Sequence, residues 1–346
     1  MAKRWKRRPE GSNWGDFGED DQLGRLNLLT PEKQRQAAAE VKEGHAFCLS
    51  LPLDYPGGNV LNPRRHPPRL FATLRGDAQN YNFPLKNTDP NLTDVLSDDA
   101  VFLHTQYSTQ WDSFAHAGSL FDADADGVPE PVYYNGWRAG EHVVGTSARL
   151  GAETWARFEG VGAKALGIEN YAANGIQGRG VLIDLHAHFG RARKLVGYDD
   201  LMAVLHADKV AIEPGDMALI YTGFDDVILE MNRRPNSHDL ENSCAALNGR
   251  DPRLLQWITD SNVAALISDN YAVEAFPSAP TNGQHAALPL HEHCLFKLGI
   301  PLGEIWYLSE LARWLRTHGR SRFLLTAPPL RLPGAVGSPV TPIATV

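Results

Sequence analysis

The chain has 346 residues, 43% of them hydrophobic and 21% charged, which is enough for one large core. A net charge of −8 argues against nucleic acid or an anionic membrane as the main partner, although Lys3, Arg4, Lys6, Arg7 and Arg8 make the start locally basic. No apolar run follows that basic start or approaches the roughly 18 to 20 residues a membrane helix needs, and Cys48, Cys244 and Cys294 form no C-x-x-C pair, which points to a cytoplasmic protein.

Helix and strand signals alternate along the chain with no repeat period, as expected of an α/β or α+β architecture in one domain spanning 1–346. After an N-terminal arm, residues 1–30, Thr30-Pro31-Glu32 supplies an N-cap, a first-turn proline and an early acid, and predicts a helix over 31–41. Residues 46–53 read as a strand that runs into the turn Pro56-Gly57-Gly58-Asn59. The following stretch, rich in proline, asparagine and arginine, makes 56–97 a lid or binding loop. Val101 to His104 is the next strand. Short apolar runs at 180–184, 216–221 and 263–268 predict strands, and 198–206, 252–260 and 308–318 predict helices. Strands buried on both faces between helices imply a central sheet, mixed or barrel-like.

At the end of the Val101 strand stands the most informative segment. Gln106, Gln110, Asp112 and His116 occupy the frame Q-x3-Q-x-D-x3-H, which can bring several donors to one metal ion and leave a proton-transfer group beside them. Two of the four are glutamines, whose neutral amide oxygens are poorer zinc ligands than imidazole. The common alternatives lack their signatures: the chain has no G-x-x-x-x-G-K-[ST] loop, no G-x-S-x-G elbow and no H-E-x-x-H helix. Asp122-Ala123-Asp124-Ala125-Asp126-Gly127 copies half of an EF-hand loop, but Tyr133 stands where the bidentate Glu belongs, so it reads as a solvated acidic turn. His186 and His188, at the end of the predicted 180–184 strand, could share one strand face, with a polar strand end as the plainer reading. Far downstream, Leu290-His291-Glu292-His293 precedes a short helix, and Gly299-Ile300-Pro301 leads to Glu304.

Taken together, these segments resemble the cyclase family of metal-dependent hydrolases, which includes bacterial kynurenine formamidase, isatin hydrolase and trans-dienelactone hydrolase. The resemblance covers most of the chain: Trp14 to Pro31, Gln106 to His116, Gly178 to Asp184, Gly215-Asp216, Tyr221-Thr222-Gly223 and His291 to Glu304. Smaller members read H-x-G-T-H-x-D-x-P-x-H in the central motif. By position, Gln106 and Gln110 stand where that motif has its two ligand histidines, Asp112 matches the ligand aspartate and His116 the acid/base. Glu304 matches the late ligand, and His291, with His293 close behind, the late histidine. The implied metal set is therefore Gln106, Gln110, Asp112, His291 and Glu304 around Mn2+ or Zn2+, which would acidify a bound water and polarise a carbonyl. His116 would be the catalytic proton shuttle, with Tyr55 and Trp111 facing the substrate.

The family implies a swivelling β/β/α domain whose central mixed, partly barrel-like sheet carries flanking helices, in a homodimer or larger homo-oligomer. It further implies a hydrolase of a small cyclic or aromatic amide, lactam, lactone or ester. Two other readings stand beside it. One is a metal-free lyase, dehydratase or cyclase using the same His and Glu; the other is a non-catalytic small-molecule-binding protein.

Overall fold

The computed structural model describes residues 4–145 and 161–346, so residues 1–3 of the expected arm lie outside it. In chain order the elements that matter for the site are these. Helix α1 is Pro31–Ala38 and strand β1 is Ala46–Cys48. Strands β2 (Arg69–Ala72) and β3 (Asp99–Phe102) precede β4 (Gln110–Asp112) and β5 (Gln177–Asp184). Helix α2 (Tyr198–Ala207), β6 (Met217–Tyr221), α3 (Pro252–Ser261), β7 (Ala265–Ser268) and β8 (Leu302–Glu304) follow. The chain ends with α4 (Ser309–Thr317), β9 (Arg322–Thr326), β10 (Gly337–Pro339) and β11 (Ile343–Thr345).

Nine strands form one curled mixed sheet in the order β1, β11, β9, β5, β6, β7, β8, β4, β10. The middle, β5 to β8, is parallel and the flanks are antiparallel. The expected α/β class with a central mixed sheet is thus what is observed. Every residue of β6 and β7 is buried, which is why these strands read as unbroken apolar runs and not as alternating ones. The helices α2, α3 and α4 lie close to their predicted positions, and α3 and α4 each bury one face, through Leu254 and Ile258 and through Leu311, Ala312 and Leu315. Helix α1 starts as predicted, with the Thr30 hydroxyl accepting from Lys33 N at 3.2 Å, but ends at Ala38.

Two expectations differ in detail. The 46–53 strand is shorter, because β1 pairs with β11 only over Ala46–Cys48. The 56–97 segment is less irregular than its composition implies: β2 pairs antiparallel with β3, making the predicted Val101 strand part of a projecting hairpin and not of the main sheet. That hairpin leaves Leu70, Phe71, Leu74, Val95 and Val101 exposed.

Among the described residues, no helix is long and apolar enough to cross a membrane. All three cysteines are free, Cys48 exposed and Cys244 and Cys294 buried.

One segment of the motif pattern has a purely structural part. Asp216, fully buried at the start of β6, receives Arg179 Nε at 2.8 Å, Arg179 Nη2 at 3.1 Å, Lys33 Nζ at 3.0 Å and Glu213 N at 2.8 Å. It ties α1 and β5 to the sheet. Replacing Asp216 with Ala leaves the buried Arg179 and Lys33 with only the half-exposed Glu213 carboxylate, at 2.6 and 3.9 Å, so urea unfolding should show a loss of about 3 kcal/mol with the denaturant slope unchanged.

Candidate metal centre

The site is built by strand register. Strand β8 pairs antiparallel with β4 so that Glu304 lies opposite Gln110 and Leu302 opposite Asp112. Directly opposed residues share a face, as do residues two apart on one strand, so Gln110, Asp112 and Glu304 point the same way. All three are buried. Gln110 Nε2 donates to Asp112 Oδ1 at 3.2 Å and to Glu304 Oε2 at 3.0 Å, holding the two carboxylates together.

The same pleat turns Trp111 to the opposite face. It is fully buried, meets Trp306 edge to face with centroids 5.0 Å apart, and donates its indole N–H to Ala327 O at 2.8 Å. Trp111 therefore packs the core and does not face the cavity, contrary to expectation. Tyr55 is also displaced from its expected place: its ring lies in a small cluster with Leu51, Phe224 and Ile305, under the Arg233 guanidinium, and only the Pro56 to Asn59 turn that follows it reaches the cavity.

The late segment supplies His291, at the end of the short helix Pro289–His291 that runs into the π-type helical segment Glu292–Leu298. His291 Nε2 lies 3.2 Å from Glu304 Oε1. His293 points elsewhere, with Nε2 at 2.9 Å from Thr259 Oγ1, because two residues along a helix is more than half a turn. The structure thereby separates the two candidate histidines: only His291 joins Asp112 and Glu304, whose ligand atoms with its own lie within 4.8 Å of one another.

Behind His291 stands Glu274, a residue sequence reasoning missed. Its buried carboxylate accepts His291 Nδ1 at 2.9 Å, His291 N at 3.0 Å and Leu290 N at 3.0 Å. With Nδ1 committed to a carboxylate, Nε2 is the nitrogen presented to the site. Gly249 makes this possible, since a β-carbon there would collide with Glu274 Oε2. The available signal was an acid alone in the small, apolar run Ala272-Val273-Glu274-Ala275, where a buried charge needs a partner.

His116 is half-buried, four residues beyond Asp112, with Nε2 3.9 Å from Asp112 Oδ2. Gln106 Nε2 lies 3.2 Å from His116 Nδ1, while Gln106 Oε1 accepts from Thr105 Oγ1 at 2.8 Å. The Gln106 amide thus orients His116 through Nδ1 and leaves Nε2 facing Asp112. A Cβ at Gly337, the β10 partner of Asp112, would stand 2.5 Å from Gln106 Nε2, so a glycine makes room for that amide.

Electrostatics follow from burial. Desolvation holds His116 below its ordinary value, although Asp112 works the other way. Glu304 is pushed up to about 7, first by burial and then by the neighbouring Asp112 charge. Burial would lower His291, but hydrogen bonds to Glu274 and Glu304 raise it to about 10. Three buried carboxylates therefore share one imidazole. Asp112 Oδ2 and Gln110 Oε1 are buried without a hydrogen-bond partner, and Glu304 Oε1 has only His291 Nε2, at 3.2 Å. Orphaned acceptors around an excess of negative charge are what a divalent cation would satisfy. Asp112, Glu304 and His291 fit such an ion. Gln106 does not fit in this arrangement, because its oxygen is taken by Thr105.

The other candidates lie apart. His186 and His188 are on the short helix Leu185–Phe189 instead of a strand face; His186 Nδ1 lies against Thr222 O, and His188 Nε2 pairs with Asp208. Asp122 and Asp124 do form the acidic turn, accepting the Asp126 N–H; Asp124 and Glu130 face the Arg138 guanidinium, and Asp122 pairs with Arg7.

Beside Asp112, Glu304 and His291 opens a cavity of about 230 Å³, lined also by Gln106, Tyr107 and His116. Removing the acceptor of three buried donors with Glu274→Ala should cost about 3 kcal/mol in urea unfolding, and His293→Ala, which loses one bond to a hydroxyl, about 1 kcal/mol.

The fold is shared with known proteins. The family model described as "Putative cyclase" matches residues 49–275. A crystal structure titled as a novel cyclase is 30% identical, covers 97% of both chains and superposes with a TM-score of 0.73. Isatin hydrolase A from Ralstonia solanacearum shares the fold at 15% identity, with 91% of this chain and 97% of that one covered and a TM-score of 0.56. Isatin hydrolase A from Labrenzia aggregata, bound to benzyl benzoate, does so at 14% identity, with 90% and 95% covered and a TM-score of 0.54. No curated protein matches the chain. By the extent of the family match, and by the 30% identity over nearly the whole chain, the protein belongs to the cyclase family.

Proposed function

We propose that the chain is a metal-dependent hydrolase of a small cyclic or aromatic amide, lactam, lactone or ester. The observation that carries this reading is the convergence of Asp112, His291 and Glu304 in a buried pocket with orphaned oxygens, beside a cavity that His116 lines. The fold it shares with isatin hydrolases supports the reaction class.

In this reading Asp112, Glu304 and His291 Nε2 would hold Mn2+ or Zn2+, with the partnerless Gln110 Oε1 as a further candidate oxygen. A divalent ion there supplies Lewis-acid chemistry, acidifying water and polarising the scissile carbonyl. Glu274 keeps His291 in the tautomer that presents Nε2. His116, aimed by Gln106, would take a proton from the attacking water at Nε2 and return it to the leaving nitrogen or oxygen, which requires the imidazole's own proton on Nδ1 with the Gln106 amide turned to accept it; its depressed basicity keeps it neutral at neutral pH. The oxygen-rich set favours manganese more than a three-histidine set would.

Elemental analysis of protein purified without chelator should find about one Mn or Zn per chain, and Asp112→Ala or Glu304→Ala should lose most of it. His116→Ala should keep metal and fold yet lower turnover by roughly 10²- to 10⁴-fold. Isatin, formyl-kynurenine, dienelactone and aryl lactones are the substrates to screen. A chain that binds neither ion and hydrolyses none of them with either added is not this enzyme. Turnover without any metal would instead favour acid/base chemistry by His116 and Glu304 alone.

A further inference from the structure

The cavity has a charge that hydrolysis of a neutral carbonyl compound does not require. Arg64 and Arg65 both line it, on the segment between the Pro56-Gly57-Gly58 turn and the β2 hairpin. Neither guanidinium has a carboxylate within ion-pair distance among the described residues. The one acid in the cavity wall, Glu304, belongs to the candidate metal set. This is a local cationic mouth on a chain of net charge −8.

The two arginines are held in place. Arg65 is half-buried and donates Nη1 to Gln106 O at 2.7 Å, directly behind the amide that aims His116. Its segment is pinned further by Tyr107 Oη donating to Gly58 O at 2.9 Å, and by His66 N against His104 Nδ1 at 3.1 Å. Arg64 is exposed at the rim, its backbone N–H fixed by Asn62 Oδ1 at 3.1 Å. A guanidinium carries five N–H donors, so Arg65 keeps donors to spare and Arg64 has its full fork, a geometry that matches a carboxylate. Tyr271 and Phe276 add aromatic surface to the cavity wall. A volume of about 230 Å³ admits one small ring system.

We propose that the substrate of this site is a small ring compound bearing a carboxylate, with Arg64 and Arg65 as the residues that select it. The anion lies against the two guanidiniums, the ring against Tyr271 and Phe276, and the carbonyl to be cleaved is thereby turned inward towards His116 and Glu304. The proposal rests on the hydrolase reading above for what happens to that carbonyl, but the anion preference can be tested without turnover.

The test uses the full chain with Mn2+ present and compares binding of benzoate and benzamide, followed by calorimetry or intrinsic fluorescence, in wild type, Arg64→Gln, Arg65→Gln and Arg65→Lys. Wild type should prefer benzoate by about tenfold or more, each Gln variant should lose most of that preference, and Arg65→Lys should keep part of it. Equal binding of the two compounds by wild type overturns the proposal. So does a benzoate preference that survives both Gln substitutions, since it would then come from the metal centre. In parallel, an aryl lactone carrying a carboxylate is compared with its methyl ester: the ratio of their kcat/KM values should fall about tenfold in Arg64→Gln. An arginine-dependent benzoate preference without hydrolysis of any substrate would support the anion site and overturn the hydrolase reading; hydrolysis with no arginine-dependent preference would do the reverse.

Discussion

Everything at the site depends on the register of β8 against β4. One pairing sets Glu304 opposite Gln110 and leaves Asp112 on the same face two residues along, so three polar side chains converge with no loop to position them. A slip of one residue would turn all three into the tryptophan layer formed by Trp111 and Trp306. That layer is therefore as much a part of the site as the ligands are: its indoles bind Ala327 O and Gln110 O and lock the face on which the acids emerge.

Burial of carboxylates has two different outcomes in this molecule. Asp225 and Asp269 are fully buried but satisfied, the first by Leu308 N, Ser309 N and the Ser309 hydroxyl, the second by Thr222 N, the Thr222 hydroxyl and Phe224 N. They organise the loops after β6 and β8. Asp112 and Glu304 are buried to a similar degree, yet Asp112 Oδ2 has no hydrogen-bond donor and Glu304 Oε1 has only His291 Nε2 at 3.2 Å. Since an unsatisfied buried acceptor costs about 1 to 3 kcal/mol, such a pair persists where a ligand completes it. The contrast in satisfaction, more than burial itself, separates Asp225 and Asp269 from the two candidate ligands.

The two glutamines of the central motif also part company. Gln110 bridges the carboxylates, while Gln106 is drawn off the metal set by Thr105 and becomes the orienting partner of His116. Two residues that a motif alignment treats alike thus have different neighbours because one is on the strand and the other precedes it.

Much was legible in the sequence because it is local. The helix over Pro31–Ala38 follows from its cap and proline, the buried strands β6 and β7 from their apolar runs, and Asp112 and His116 stand out as candidates from the frame of one motif and its family resemblance. What a strand face or a helix face does with neighbouring residues could be reasoned only partly: the two-residue alternation that excludes Trp111 from the site was implicit in Gln110-Trp111-Asp112, but it became decisive once β4 was known to be a strand. The choice of His291 over His293, the role of Glu274, the separation of the glutamines and the placing of Arg64 and Arg65 at the cavity were decided by the tertiary structure alone. Each depends on groups more than a hundred residues apart in some cases, such as Gln110 and Glu304, and a linear pattern carries no information about which distant side chain will be the nearest partner of a buried charge.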